Sequence, residues 1–146
     1  MIAPAYWLIG AGLAQALLAL ALLFLLGTIR VPMVQRREVR LGDVALSRDP
    51  WPEREKKVSN AFDNQFQLPL LFYAGCGLSL YFGTIWIEVA IAWLFVVTRW
   101  VHAGIFVTSN HVVRRFTAYT AGYAILSAFW LELLARTFFI AVWNRV

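Results

Sequence analysis

Long apolar runs separated by polar segments dominate the chain, and they predict four membrane-spanning helices. Residues 5–29 carry no charged side chain and exceed the roughly 20 residues that a helix needs to cross a bilayer. Further apolar runs predict spans at about 58–82, 85–108 and 116–143. The predicted fold class is therefore an all-α integral membrane protein, a four-transmembrane-helix bundle forming a single domain, 1–146.

The composition supports a bilayer as the solvent. The 146 residues are 61% hydrophobic and 14% charged, whereas soluble domains average about 45–50% apolar and about 25% charged residues. A globule this small has too little interior to bury the excess. The single cysteine, Cys76, excludes a disulfide framework, and two histidines without an adjacent carboxylate pair predict no metal site.

The basic residues are concentrated in the predicted loop 30–57, which holds eight of the thirteen Lys and Arg residues. Basic residues collect in cytoplasmic loops, so we expect this loop in the cytoplasm and both termini on the opposite side. A bacterial inner membrane is the expected location. Topology thus accounts for the basic pI without a nucleic-acid partner, and the mixed charges of the loop suit contact with membrane lipids.

Polar side chains precede the second apolar run, where lipid exposure would be costly. Asn60, Asn64 and Gln67 are spaced i, i+4 and i+7, which places them on one face of a continuous helix. Pro69 predicts a kink within that helix.

A second set of polar residues occurs at the same predicted end of the bundle. Arg99 and His102 share a face of the third span, and Arg115 and Tyr119 share a face where the fourth begins. Arg side chains recognise carboxylates, so this set suits an anionic small molecule. Two other interpretations stay open, namely mutual hydrogen bonds that hold the bundle together and binding of lipid head groups.

A third set lies toward the other end. Glu132 and Arg136 are spaced i, i+4 and predict a structural ion pair, with Glu88 as a possible interhelical partner.

With these residues placed, the chain resembles the MAPEG family of membrane-associated proteins in eicosanoid and glutathione metabolism. Its closest resemblance in motif spacing is to the microsomal prostaglandin E synthase branch. The segments RWVHAGIF and RFTAY match that spacing with Arg99, His102, Phe106, Arg115 and Tyr119, Phe106 standing where the branch has Tyr. The segment NAFDNQFQ keeps the family Asn as Asn64, but has Asn60 and Gln67 where members have Arg and Glu.

The resemblance implies a homotrimer that binds glutathione between neighbouring subunits, in a cleft open to the cytoplasm. It implies that Arg115 activates the glutathione thiol. The implied glutathione-binding residues are Arg30, Asn60, Asn64, Gln67, Arg99, His102 and Tyr119.

The function expected from this resemblance is a glutathione-dependent transferase or peroxidase acting on lipophilic small molecules. Two alternatives stay open. The chain could use the same fold to bind a lipid or another anionic ligand without glutathione catalysis, or it could be a structural subunit of a membrane assembly.

Overall fold

A computed structural model describes the backbone of residues 3–143 and the side chains of residues 3–140. Within those residues the chain is helical, with loops and turns between the helices and no strand. The elements are α1 Pro4–Gln35, α2 Glu53–Asp63, a 3₁₀ turn Asn64–Phe66, α3 Leu68–Phe82, α4 Trp86–Val107 and α5 Val112–Trp143.

Three of these helices, α1, α4 and α5, are long and apolar enough to cross a membrane. This confirms the expectation of a multi-pass, all-helical membrane protein. The second predicted span has a different form, because the 15 residues of α3 rise only about 22 Å, less than the roughly 30 Å hydrocarbon core. A fourth crossing therefore needs α2 and the 3₁₀ turn as well, and it stays a prediction.

The prediction of one continuous helix over 58–82, kinked at Pro69, is wrong. The helical segment begins at Glu53 and is broken over 64–67, before Pro69. Pro69 lies in the first turn of α3, where its missing N–H costs nothing. In a continuous helix its ring would clash with the carbonyl of Gln65, so the chain ends one helix and starts another.

Two other predicted boundaries also move. The first helix runs beyond residue 29 to Gln35 and contains Pro32, so the connecting loop is 36–52 rather than 30–57. The last helix starts at Val112 instead of 116. Between α3 and α4 the chain turns at Gly83, whose φ of +85° is readily adopted only by glycine.

Within the bundle, α4 packs against α1, α2 and α5. One apolar cluster joins α1, α3, α4 and α5, and Phe72 of α3 stacks on Phe95 of α4 at its centre. A smaller cluster joins α1, α2 and α4 nearer the 36–52 loop; its members are Leu18, Leu22, Ala61, Ala103 and Phe106. Tyr119, near the start of α5, packs against the larger cluster, and Phe106, near the end of α4, belongs to the smaller one; the candidate site lies between these two helix ends.

Candidate functional site

A pocket of about 230 Å³ opens between the end of α4, the start of α5 and the 3₁₀ turn. Five of the residues that the sequence singled out line it, and they come from three separate segments of the chain. The lining residues are Asn64, His102, Phe106, Val112, Arg115, Phe116 and Tyr119.

Arg115 is held in a defined orientation at this pocket. Its guanidinium carbon lies 4.2 Å from the ring centroid of Phe106, a cation–π contact. Its Nη1 donates to Oδ1 of Asn110 over 2.6 Å. Among the described residues no carboxylate lies within 4 Å of it, so its charge is available to an anion.

His102 forms the aromatic floor of the pocket together with its neighbours. It is buried, and its ring lies edge-on to Phe106 at 5.6 Å and tilted to Tyr119 at 5.9 Å between centroids. Its Nδ1 has no hydrogen-bond partner among the described residues. The ring is therefore positioned by packing, with a polar atom left for a ligand or water.

Arg99 lies one helical turn from His102 and is fully buried. Its Nη2 donates to the backbone carbonyl of Asn64 over 3.1 Å. Its Nε and Nη1 have no partner, and no carboxylate lies within 4 Å, in the part of the chain that the structure describes. Arg99 does not line the pocket itself, but a buried charge without a carboxylate partner costs several kcal/mol, so an anion bound close to this position would be stabilised.

Arg30 lies apart from that pocket. Its Nε donates to Oε1 of the buried Glu55 over 2.7 Å, and its guanidinium stacks on Trp51 at 5.3 Å. It lines a separate cavity of about 610 Å³ between α1 and the 36–52 loop.

Asn60 and Gln67 also lie outside the pocket lining. Asn60 accepts a hydrogen bond from Arg48 at 3.5 Å, whereas Gln67 is exposed within the break between α2 and α3. The common helical face expected for Asn60, Asn64 and Gln67 is wrong, because the helix does not continue through 64–67.

Two buried glutamines were missed from the sequence. Gln15 of α1 is fully buried and donates from Nε2 to Oε1 of Gln65 over 2.9 Å, while Gln65 donates to the carbonyl of Ala61. Gln15 lies on the buried stripe of α1, whose members are Leu8, Ala11, Gln15, Leu18, Leu22 and Leu26. A lone amide inside an otherwise apolar span was the available signal.

The ion pair at the other end confirms the interhelical partner predicted from the sequence, Glu88, but not the i, i+4 pair. Arg136 of α5 pairs through Nη1 with Oε1 of the buried Glu88 at 2.7 Å, not with Glu132. Glu88 also accepts from Ser79 over 2.8 Å and from the backbone N–H of Ile85 over 2.9 Å. Arg136 donates further to the carbonyls of Phe82 and Gly83. The cluster thus fastens α5 to the α3–α4 turn.

Outside the membrane-spanning segments, two ion pairs order the start and end of α2. The hydrogen bond from Lys57 lowers the pKa of the exposed Glu53. The hydrogen bond to Asp63 raises the pKa of Arg48. Exposed pairs contribute little to stability, so their role is local.

The MAPEG family profile matches residues 8–135, which is most of the chain and includes every pocket residue. The chain belongs to the MAPEG family. Membership indicates a membrane protein of glutathione or eicosanoid metabolism. No curated protein and no solved structure matches this MAPEG chain significantly, so no named activity accompanies the family assignment.

Proposed function

We propose that this MAPEG protein is a glutathione-dependent transferase or peroxidase that acts on lipophilic substrates at the cytoplasmic side of the membrane. The observation that carries the proposal is Arg99, a buried guanidinium with two unpartnered nitrogen atoms one turn from the pocket residue His102. A ligand carboxylate would supply the missing negative charge. Glutathione carries two carboxylates beside its thiol.

In this proposal Arg115 acts on the thiol. Its positive charge stabilises the thiolate relative to the thiol, which lowers the thiol pKa and raises the fraction of nucleophile. The stack on Phe106 and the hydrogen bond to Asn110 keep the guanidinium in place before the ligand arrives. The thiolate then attacks a lipophilic substrate that enters from the bilayer. With an electrophile, a carbon–sulfur bond forms as the leaving group departs or the ring opens. With a peroxide, the O–O bond breaks to give an alcohol and the sulfenic acid of glutathione, which a second glutathione converts to the disulfide and water.

The other residues implied by the resemblance divide into two groups. Asn64, His102 and Tyr119 line the pocket and would contact the tripeptide directly. Arg30, Asn60 and Gln67 are absent from its lining, so in this proposal they reach the pocket of a neighbouring chain in a homotrimer. As part of the proposal, the spacing of Arg99, His102, Arg115 and Tyr119 supports a relationship to the prostaglandin E synthase branch of the family.

The proposed orientation puts the basic 36–52 loop on the cytoplasmic side of a bacterial inner membrane. It is supported by Arg36, Arg37, Arg40 and Arg48, because basic residues collect in cytoplasmic loops. The pocket lies at the same end of the bundle, because the α4–α5 turn and the α1–α2 loop both follow helices that run toward that side. Water-soluble glutathione would enter there.

A second candidate is an anion- or lipid-binding MAPEG protein without glutathione catalysis. The specific observation in its favour is that none of the described residues lining the pocket is acidic. Within one chain, the amino group of glutathione therefore lacks a carboxylate partner. An anionic ligand without an amino group would fit the same cationic and aromatic lining.

The test is calorimetric titration of glutathione into the purified, detergent-solubilised protein. We expect saturable binding that Arg115→Leu weakens at least tenfold, since a charge-assisted contact is worth roughly 1.5–3 kcal/mol. Arg114→Leu is the matched control, because Arg114 is the preceding residue on α5 and does not line the pocket.

Absence of heat at millimolar glutathione, with the oligomer intact, would contradict the proposal. A co-purifying anion or lipid seen by native mass spectrometry, displaced by Arg99→Met, would then support the second candidate. If neither ligand binds and Arg115→Leu changes nothing, the chain is better explained as a structural subunit.

A further inference from the structure

The buried side of α1 carries one amide side chain. Gln15 is fully buried, and the other buried residues of this helix are leucines and an alanine. Since α1 is long and apolar enough to cross a membrane, this amide lies within a membrane-spanning segment. Polar side chains in such segments are costly, face the interior of the bundle and usually serve a function.

The hydrogen-bond partner of this amide lies in the break between α2 and α3. Gln65, in the 3₁₀ turn Asn64–Phe66, is buried, and its Oε1 accepts from Nε2 of Gln15 over 2.9 Å. The Nε2 of Gln65 donates to the carbonyl of Ala61 in α2, also over 2.9 Å. Gln65 thus joins α1 to the end of α2 at the point where the helix is interrupted.

Arg99 holds the same turn from the side of α4. Its Nη2 donates to the carbonyl of Asn64, one residue before Gln65, over 3.1 Å. The turn is therefore hydrogen-bonded to two membrane-spanning helices, to α1 through Gln15 and to α4 through Arg99. At membrane depth, irregular backbone is tolerated where neighbouring parts of the protein cover it, and these two helices supply that cover.

The turn contributes directly to the 230 Å³ pocket. Asn64 is one of the lining residues, whereas Gln15 and Gln65 are not. Gln15 therefore has no direct contact with a ligand in this pocket. It acts on the pocket through Gln65 and the position of the turn.

The hydrogen bond between the two amides adds direction more than stability. Replacing both partners of a buried hydrogen bond with apolar groups of the same shape is often nearly neutral, whereas removing one partner leaves the other unsatisfied. Oε1 of Gln15 already lacks a partner among the described residues, which reduces the net stabilisation further. Apolar side chains at these two positions would not supply the directional link, because only a hydrogen bond demands a defined distance and angle.

We propose that Gln15 is a positioning residue for the pocket. Through Gln65 it fixes the Asn64–Phe66 turn, and with it the Asn64 side chain and the carbonyl that accepts from Arg99. The orientation of the turn is a property of the ligand-free protein. Its consequence for glutathione binding rests on the proposed function.

The first experiment measures hydrogen exchange of the ligand-free, full-length protein in lipid nanodiscs. Gln15→Met keeps the volume and removes the donor to Gln65. We expect the backbone amides of 64–67 to exchange about two- to tenfold faster, the loss of one hydrogen bond, and the unfolding temperature to fall. Gln35→Met is the matched control, because it makes the same substitution on the same helix at an exposed residue. It should change neither quantity.

A double variant separates positioning from a purely structural role. Gln65→Met leaves Gln15 as an unsatisfied buried amide, and adding Gln15→Met removes that amide. We expect the double variant to unfold at a higher temperature than Gln65→Met. Exchange of 64–67 should stay as fast as in Gln65→Met, because Gln15 acts through Gln65. Stability then recovers while the turn does not.

Calorimetric titration of glutathione extends the comparison to the ligand. Gln15→Met should weaken binding about two- to tenfold, the double variant should bind no more tightly than Gln65→Met, and Gln35→Met should bind as wild type does. If the wild type binds no glutathione, the proposed function fails. Hydrogen exchange still decides the role of Gln15 in that case.

Four results would overturn the proposal. Unchanged exchange of 64–67 in Gln15→Met would show that the turn does not depend on Gln15. A further acceleration when Gln15→Met is added to Gln65→Met would show that Gln15 does not act through Gln65. Joint recovery of stability and slow exchange in the double variant would leave only a structural pair. Wild-type glutathione affinity in Gln15→Met, despite faster exchange, would separate the turn from the pocket.

Discussion

Arg99 of α4 donates a hydrogen bond to the backbone carbonyl of Asn64, in the break between α2 and α3, over 3.1 Å. The Asn64 carbonyl belongs to the 3₁₀ turn, and a carbonyl oxygen can accept two hydrogen bonds, so it can also accept from this guanidinium. One irregular turn thus provides an acceptor for a buried guanidinium. The same turn places the Asn64 side chain at the pocket.

Arg99→Met tests whether the buried charge serves ligand binding or stability. We expect the ligand-free variant to unfold at the same temperature as wild type or higher, because an apolar side chain of similar volume replaces an unpaired charge. The rise in unfolding temperature on adding glutathione should be lost. Thermal scans in detergent, with Arg114→Met as control, measure both; a retained glutathione-dependent rise would argue against Arg99 as a ligand residue.

Gly75→Ala tests the close approach of α3 to α5. The added methyl group would overlap the ring of Phe129, so we expect a loss of about 1–3 kcal/mol in unfolding free energy. Gly77→Ala is the matched control on the same helix, since a Cβ at Gly77 has no contact within 4 Å. Reversible unfolding in mixed micelles gives both values. Equal effects of the two substitutions would contradict the packing described.

Glu88→Gln tests the ion pair that fastens α5 to the α3–α4 turn. Removing this buried charge leaves Arg136 without its carboxylate partner, and breaking such pairs typically costs about 3–5 kcal/mol. We expect a loss of that order in unfolding free energy. Glu132→Gln should cost much less, because Arg136 pairs with Glu88 in the structure. A larger loss of unfolding free energy for Glu132→Gln than for Glu88→Gln would instead support the Glu132–Arg136 pair that the i, i+4 spacing predicted.

The start of α2 has a pH dependence that can be checked locally. Lys57 lowers the pKa of Glu53 in the folded protein. The ion pair therefore stabilises the start of α2 at pH values above the ordinary carboxyl pKa of 4.5. This contribution is lost as the pH falls through the lower pKa that Glu53 has in the folded protein. An NMR titration of the Glu53 carboxyl should give an apparent pKa below 4.5, which Lys57→Met should raise. Lys56→Met is the control. The Lys56 amine donates to the carbonyl of Asp49, so its removal should leave the pKa of Glu53 unchanged.

The sequence was sufficient for the features that depend on solvent and on local spacing. The apolar runs identified α1, α4 and α5 as membrane helices, because a bilayer tolerates only long apolar segments. Helical spacing correctly placed Arg115 and Tyr119 together, and the motif residues indicated the family that the profile match confirms.

Helix boundaries were predicted less well, because backbone hydrogen bonds outweigh composition there. Polar residues after residue 29 suggested a loop, yet α1 continues through Pro32 to Gln35. Pro69 suggested a kink at its own position, whereas the chain breaks before it, over 64–67. The local sequence shows only that a proline will interrupt a helix. Which residues then leave the helical conformation depends on packing.

Only the tertiary structure decided which polar groups meet. The i, i+4 rule paired Arg136 with Glu132, but helix packing brings Glu88 of α4 to Arg136 instead. The same packing buries Gln15 against Gln65 and leaves Arg99 without a carboxylate partner in the described residues. A single sequence determines which face of a helix a side chain occupies. The neighbour on that face depends on how helices far apart in the chain pack together.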